Sequence, residues 1–250
     1  MVRVETPRSR LRGPAPGTVV EAVEARGKHL LVRFADGSVL RTHMRMSGSW
    51  HLYRTGERWQ RPPHLMRVLV EVDGWVAVCF SAPVVVWERG PLGDPSTGVP
   101  DHLGPDLCNP EIDLEPALDR ALARMARYGG PTDEIKPVLL DQRVACGVGN
   151  VYANEVLFAC AVNPFTPLGA LDGASRRRLL GTASRLLRAN LDPGPRATVP
   201  EGLAVYGRHG RPCRRCGTAV RGRRQGDHAR STYWCPTCQA ARAPVDKMAP

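Results

Sequence analysis

The sequence contains little lysine, few aromatic residues and no long apolar run. Lysine occurs only at Lys28, Lys136 and Lys247, and aromatic residues make up 6% of the 250 residues. No stretch approaches the roughly eighteen consecutive apolar residues of a membrane-spanning helix. The amino terminus carries charges where a secretory signal would need an apolar run. We therefore expect a soluble, cytoplasmic protein with no membrane partner.

Acidic residues are fewer than basic ones. The chain has 24 acidic and 35 basic residues, which gives a formal charge of +11. Such an excess favours a polyanionic partner, since each phosphate contact releases condensed counterions. Nucleic acid and an anionic membrane surface both fit. A GC-rich genome would explain the preference for arginine. Against it, each retained lysine suggests chemistry that a permanently protonated guanidinium cannot perform.

The eight cysteines fall into two groups of four. Those at positions 79, 108, 146 and 160 stand alone and are typical of small buried hydrophobic residues. The others form two C-x2-C pairs separated by eighteen residues, namely Cys213, Cys216, Cys235 and Cys238. This spacing predicts a structural zinc site whose four thiolates leave no open position. Two disulfides are the alternative, which a reducing cytosol disfavours.

The segment between the cysteine pairs is strongly basic. It carries six arginines with only Asp227 opposing them, namely Arg214, Arg215, Arg221, Arg223, Arg224 and Arg230. A hairpin of this composition can lie against phosphates. A solvated basic loop without a partner is the alternative, and zinc ribbons of RNA-binding proteins share the spacing.

The first part of the chain is rich in valine and turn signals. Six segments predict strands, at 18–23, 29–34, 38–44, 64–72, 75–80 and 83–88. Asp36-Gly37 and Asp73-Gly74 are strong hairpin dipeptides. We expect an antiparallel sandwich or barrel, which the glycine- and proline-rich segment 89–100 ends.

Helical periodicity follows in the second part of the chain. Four helices are predicted, at 114–128, 135–141, 150–159 and 175–190. Asp113 and Asp133 are the expected caps of the first two. Gly129-Gly130 ends the first helix, and Pro193 with Pro195 ends the fourth.

Two glycines, Gly147 and Gly149, directly precede the helix that begins at Asn150. A helix amino terminus offers unpaired N–H groups and a positive dipole end, which bind phosphate. The alternative is structural: the glycines make a tight turn and Asn150 caps the helix.

Seven blocks of sequence carry a family resemblance. They are GKHLL from Gly27, HMRMSGSW from His43, HLGPDL from His102, IKPVLLDQ from Ile135, GVGNVYANE from Gly147, VYGRHGRPCRRCG from Val205 and RSTYWCPTCQ from Arg230. In order and spacing they resemble the formamidopyrimidine-DNA glycosylase and endonuclease VIII family over residues 18–239. The tryptophan-rich segments look most like actinobacterial endonuclease VIII-type members.

The resemblance implies an α+β multidomain protein. An antiparallel β-sandwich at 1–100 would precede a helix-two-turns-helix domain at 101–204, a zinc-finger hairpin at 205–240 and a tail at 241–250. One structural Zn²⁺ and damaged double-stranded DNA are the implied cofactor and partner. DNA would lie in a basic cleft between the domains. We expect a monomer associated with the bacterial nucleoid.

The resemblance also implies roles for individual residues. Asn150 would bind the phosphate at the lesion, and Lys28 an adjacent phosphate while assisting β-elimination. Arg230 would grip phosphate and assist δ-elimination. Met46 would fill the gap left by the flipped nucleotide, although a core position is its alternative. We interpret His43 as a packing residue.

The implied activity is base-excision repair of oxidised bases by a DNA glycosylase with abasic-site lyase activity. Family members use an amino-terminal proline as nucleophile and a following glutamate for protons. This sequence starts Met1-Val2-Arg3, and we reject the Val2 amine as a nucleophile. Either the true start lies upstream or the protein is a non-catalytic damaged-DNA-binding relative, whose β domain would expose apolar surface.

The segment from Ser81 to Pro91 lacks the arginine-phenylalanine loop of formamidopyrimidine enzymes. This departure favours oxidised pyrimidines or abasic sites over oxidised guanine. A zinc-ribbon RNA-binding protein is a further hypothesis, which the segment around Asn150 disfavours.

Overall fold

The computed structural model describes residues 3–7, 13–192 and 194–241. The chain divides into two compact units, Met1–Asp101 and His102–Pro250. The first is a β-sandwich and the second combines helices with a cysteine-bearing hairpin, so the predicted α+β organisation is confirmed. Val2, Pro193 and nearly all of the predicted tail lie outside the described residues.

The first unit consists of two four-stranded antiparallel sheets. One has the order β1-β6-β7-β5 and the other β2-β3-β4-β8. The strands are β1 Arg3–Glu5, β2 Val20–Arg26, β3 His29–Phe34, β4 Ser38–His43, β5 Ser49–Arg54, β6 Met66–Val72, β7 Trp75–Phe80 and β8 Val84–Arg89. Six of them match the predicted segments, whereas β1 and β5 were not predicted.

The two sheets pack through alternate residues of their strands, because successive side chains of a strand point to opposite faces. Phe34 and Leu40 of one sheet share a buried cluster with Val68 and Cys79 of the other. This apolar layer accounts for the valine-rich composition of the strands. On the opposite face of the sheet containing β5, Trp59 packs against other aromatic rings and covers part of that face.

The second unit contains four helices and a two-stranded hairpin. They are α1 Leu114–Tyr128, α2 Ile135–Leu140, α3 Asn150–Ala159, α4 Gly173–Arg188, β9 Arg221–Gln225 and β10 Arg230–Trp234. One apolar core joins the helices, with Leu118, Met125, Leu157 and Leu179 almost completely buried. Among the described residues, no helix is both long and apolar enough to cross a membrane.

The helix starts differ in part from the expected caps. Asp133 does not cap α2, because its carboxylate instead accepts the Gly130 N–H at 2.8 Å and closes the preceding turn. Asp113 precedes α1 as expected, but its side chain makes no capping hydrogen bond. Helix α4 begins two residues earlier than predicted, since Asp172 accepts the Ser175 N–H at 2.7 Å.

A buried carboxylate fixes α3 to the segment that leads into the hairpin. Glu155 is 1% exposed and accepts the backbone N–H groups of Ala204, Val205 and Tyr206 at 2.7–2.9 Å. The Thr198 hydroxyl donates to it as well. Hydrogen bonds to a carboxylate are stronger than those to a neutral acceptor. These polar contacts therefore hold the segment before the hairpin on α3.

Replacing Glu155 by alanine leaves two buried N–H groups and one half-buried N–H group without their acceptor. We expect Glu155→Ala to lower the free energy of unfolding by about 3 kcal/mol or more, measured by denaturant titration of the second unit's fluorescence. Glu155→Gln should cost less because one carbonyl acceptor remains. The exposed Glu111→Ala is the matched control and should leave stability unchanged. An equal loss in both alanine variants would contradict the assignment.

Candidate nucleic-acid interface

The four paired cysteines come together at the base of the hairpin. All of their sulfur atoms lie within 4.8 Å of one another. The Sγ atoms of Cys213 and Cys238 are 3.9 Å apart, and those of Cys216 and Cys235 are 3.4 Å apart. A tetrahedral zinc site with bonds of about 2.3 Å requires sulfur separations of about 3.8 Å. The donor set therefore fits one structural Zn²⁺.

Each C-x2-C pair lies on a turn whose backbone N–H groups point at sulfur. Arg215 N–H lies 3.4 Å from Cys213 Sγ, and Cys238 N–H lies 3.4 Å from Cys235 Sγ. The turns are closed by ordinary backbone bonds, such as that from Gly217 N–H to the Cys213 carbonyl at 2.9 Å. These donors stabilise negative charge on sulfur, which is the form that binds metal.

The thiols do not ionise equally in the absence of a cation. A hydrogen bond from the Thr218 side chain lowers the pKa of Cys216 to about 6. Burial, and secondly the neighbouring cysteines, raise the pKa of Cys238 to about 12. A bound zinc ion would supply the positive charge that holds all four sulfur atoms as thiolates.

Helix α3 begins beside the hairpin, and its first residue reaches across to it. Gly149 occupies the cap position without a side-chain capping bond, and Gly147 has a φ of 99° that favours glycine. The Asn150 amide donates to the Ser231 carbonyl at 3.0 Å instead of capping the helix. The capping alternative is therefore wrong. The first N–H groups of α3 stay available, as at any helix start.

Lys136 of α2 converges on the same backbone carbonyl. Its ammonium donates to the Thr232 hydroxyl at 2.8 Å and to the Ser231 carbonyl at 3.2 Å. Lys136 is only 1% exposed, and burial together with the positive charge of Arg230 lowers its pKa to about 8. Arg230 itself is exposed and precedes Ser231 in β10. The structure thus brings Asn150 and Arg230 to one place.

Residues that the sequence did not single out as site residues complete this arrangement. Asn154 accepts the Tyr233 N–H at 2.6 Å, and its amide donates to the Asn150 carbonyl at 2.6 Å. Lys136 thus joins α2 to β10, and Asn154 joins α3 to β10, whereas Glu155 joins α3 to the segment before the hairpin. Two features of the sequence could have identified these residues. Lys136 is one of only three lysines, and Asn154 and Glu155 are polar residues in a mostly apolar helix.

Lys28 and Met46 belong to the other unit. Lys28 is exposed in the turn between β2 and β3, and burial together with Lys28, Arg45 and Arg41 lowers the pKa of His43. The His43 ring stands 4.6 Å from that of His29, in line with a packing role. Lys28 therefore lies in a cationic environment.

Met46 lies in the turn between β4 and β5 and is 97% exposed. The core alternative for this residue is therefore wrong. Arg45 has a φ of 44°, and a Cβ atom on Gly48 would lie 2.9 Å from backbone atoms of Met44 and Ala82. The close backbone packing at Gly48 fixes the turn, so Met46 is held in solvent by a defined backbone.

Three family profiles match the chain along most of its length. The formamidopyrimidine-DNA glycosylase N-terminal domain matches residues 1–83, the corresponding H2TH domain matches 103–199, and a zinc finger found in FPG and IleRS matches 210–241. The probable endonuclease 8 2 of Streptomyces coelicolor is 43% identical over 234 residues, covering 91% of this chain and 82% of the relative. The chain belongs to the formamidopyrimidine-DNA glycosylase and endonuclease 8 family.

Other members of the family show the same relationship. A DNA-(apurinic or apyrimidinic site) lyase of Mycolicibacterium smegmatis is 36% identical over 231 residues, which cover 90% of this chain and 84% of that protein. The formamidopyrimidine-DNA glycosylase of Lactococcus lactis, solved in non-covalent complex with DNA containing an abasic site, aligns with a TM-score of 0.72 at 22% identity. That alignment covers 90% of this chain and 83% of the solved chain. The structural likeness establishes the family fold.

Removal of zinc tests the metal assignment. We expect about one zinc per chain, measured by elemental mass spectrometry, and its loss from Cys216→Ala after dialysis against a chelator. Because Tyr206 and Tyr233 pack at 5.2 Å beside the cysteines, near-ultraviolet circular dichroism should fall with the metal. Cys108→Ser, outside the cluster, is the control and should retain zinc. Full zinc retention by Cys216→Ala would contradict the four-cysteine site.

Burial of Lys136 predicts a pH dependence of stability. Its folded-state pKa of about 8 lies below the ordinary value of 10.5, so between these values the unfolded chain binds more protons. Stability from this group must therefore rise with pH through that window, by up to about 3 kcal/mol. We expect Lys136→Met to lose this rise in denaturant titrations at pH 7.5 and 10.5. The exposed Lys28→Met should keep it, and an identical pH profile for Lys136→Met would refute the burial argument.

Proposed function

We propose that this chain is a base-excision-repair DNA glycosylase with abasic-site lyase activity that acts on oxidised bases in duplex DNA. The observation that carries the proposal is the convergence of Asn150 and Lys136 on the Ser231 carbonyl, next to the exposed Arg230. This arrangement positions an amide, a helix amino terminus and a guanidinium so that they can grip one stretch of phosphate backbone. The names of the curated relatives, an endonuclease and an abasic-site lyase, support the same activity.

The three phosphate-binding groups act in different ways. The N–H groups at the start of α3 and the Asn150 amide bind phosphate oxygens as neutral donors. Arg230 adds a full charge, and its planar guanidinium suits bidentate phosphate contact. Because Lys136 is held by two hydrogen bonds beneath Ser231, its role is to position β10 rather than to touch DNA.

In the β-sandwich unit, Lys28 would bind a neighbouring phosphate and assist β-elimination, and Arg230 would assist δ-elimination. The exposed Met46 would enter the duplex where the damaged nucleotide leaves it. An apolar side chain can occupy that gap because it stacks between base pairs without needing hydrogen bonds. These roles rest on the position of each residue in the family's motifs.

Zinc would hold the hairpin without taking part in the reaction, since four thiolates complete its coordination. We further propose that the protein is a monomer and acts in the cytoplasm on the bacterial nucleoid. The domain boundaries proposed for it are 1–100, 101–204 and 205–240. They are consistent with the ranges of the three family profiles.

A preference for oxidised pyrimidines or abasic sites over oxidised guanine is part of the proposal. The connection between β7 and β8 has only three residues, Ser81 to Pro83. The inference rests on the segment from Ser81 to Pro91, which has no arginine-phenylalanine loop. Side-by-side incision assays on duplexes containing an oxidised pyrimidine, oxidised guanine or an abasic site test the order.

A non-catalytic damaged-DNA-binding protein is the second candidate, because phosphate binding by Asn150, Lys28 and Arg230 needs no nucleophile. The two candidates differ in one reaction. A lyase forms an imine between a protein amine and the carbon of the opened abasic sugar, and borohydride reduces that imine to a stable amine. A binding protein leaves the DNA intact.

The decisive experiment combines binding with borohydride trapping on duplexes that contain an abasic site. For a chain extended upstream to carry the family's amino-terminal proline nucleophile, we expect strand incision and a trapped covalent complex. Asn150→Ala should weaken binding about tenfold or more, because a hydrogen bond to a charged phosphate is lost. Arg230→Ala should reduce the slope of log affinity against log salt concentration by about 0.9.

Arg214→Ala is the matched control for Arg230→Ala. Arg214 belongs to the same hairpin region but pairs with Glu201 at 3.1 Å, so its loss should leave the salt slope unchanged. Binding without incision or trapping by the extended chain would favour the non-catalytic candidate. Equal affinity for abasic and intact duplexes, or for single-stranded RNA, would overturn both candidates.

A further inference from the structure

Three arginines surround a single tyrosine ring at the end of α1. The guanidinium carbons of Arg124, Arg127 and Arg143 lie 5.5, 5.4 and 4.7 Å from the Tyr128 ring centroid. We call these four residues the arginine-tyrosine cluster. Stacking on a ring leaves the in-plane N–H groups of a guanidinium directed outward. The cluster therefore presents donors to its surroundings.

Hydrogen bonds hold part of the cluster in place. Arg124 donates to the backbone carbonyls of Arg143 and His102. Arg143 donates to both carboxylate oxygens of Asp141 at 2.7–3.1 Å. Arg127 is exposed, and among residues 3–7, 13–192 and 194–241 no hydrogen bond or ion pair of its side chain is found. Hydrogen bonds thus hold Arg124 and Arg143 in place, while the charged side chain of Arg127 faces solvent.

Charge in the cluster is poorly balanced. Asp141 is the one carboxylate in direct contact with its three guanidinium groups within the described part of the chain. Elsewhere on α1, carboxylates outnumber the arginine that they contact: Arg177 of α4 pairs with both Glu115 and Asp119. Unbalanced like charges at short range instead gain free energy from an external anion.

One member of the cluster, Arg143, lies in the hydrogen-bonded turn that leads to the start of α3. Gln142, next to Arg143, donates to the carbonyls of Leu140 and Val148 and accepts the Gly147 N–H at 3.1 Å. These bonds span the turn that leads to Asn150. Arg143 and the first residue of α3 are therefore held by the same turn.

We propose that the arginine-tyrosine cluster binds a backbone phosphate of the duplex at a distance from the damaged nucleotide, through Arg127 and the outward edge of Arg143. This inference rests on the proposed function, since it extends the contact made by Asn150 and Arg230 along the same DNA. It assigns to the end of α1 a role in affinity and not in lesion recognition, because phosphate contacts carry no sequence or damage information.

The test is the salt dependence of binding to a duplex with a stable abasic-site analogue, measured by fluorescence anisotropy between about 50 and 200 mM salt. Arg127→Ala should reduce the slope of log affinity against log salt by about 0.9, one phosphate contact. Arg127→Glu should reduce affinity further. The ratio of affinities for damaged and intact duplexes should stay unchanged in both variants, unlike in Asn150→Ala.

Arg185→Ala is the matched control. Arg185 is an exposed arginine on α4, and its replacement by alanine removes the same charge. Shortening the duplex one base pair at a time should abolish the difference between the parent and Arg127→Ala once the distant phosphate is removed. An unchanged salt slope for Arg127→Ala, or a loss equal to that of Arg185→Ala, would overturn the inference alone. Failure of the parent chain to bind any duplex would overturn the proposed function together with it.

Discussion

The architecture of the second unit depends on how a small, basic hairpin is attached to a helical core. The hairpin contributes few apolar side chains, and the cluster that contains them has only six buried hydrophobic members. Its attachment is therefore polar: the Ser231 carbonyl accepts from both Lys136 and Asn150, and Glu155 binds the backbone that leads into the hairpin. Each group is costly to bury alone and is stable only with its partners.

This polar attachment has a functional result. Because Asn150, the proposed phosphate ligand, also bonds to the hairpin, the start of α3 and the exposed face around Arg230 are fixed relative to each other. A phosphate-binding site with preset donors loses little conformational entropy on binding. Zinc extends the same order to the base of the hairpin, where four sulfur atoms lie at the separations that a single tetrahedral ion requires.

Much of this fold could be predicted from the sequence, because its signals are local. Cysteine spacing, turn dipeptides and helical periodicity identified the metal ligands, six of the strands and the four helices. Strand β5 was missed since Ser49–Arg54 mixes polar and aromatic residues without regular alternation. The Asp133 cap was wrong because an equally close N–H, that of Gly130, competed for its carboxylate. The partners of Lys136 and Asn154 lie some eighty or more residues away in the chain, and no periodicity encodes them.

The turn that carries Met46 holds a large apolar side chain almost entirely in water. Burying a methionine side chain stabilises a protein by about 1.5–3 kcal/mol. Met46 does not contribute this stabilisation to the folded chain, because it is exposed. The backbone conformation at Arg45 and the close packing at Gly48 keep the Met46 side chain away from the protein surface. A surface that covered this thioether would therefore gain the hydrophobic free energy that folding leaves unused.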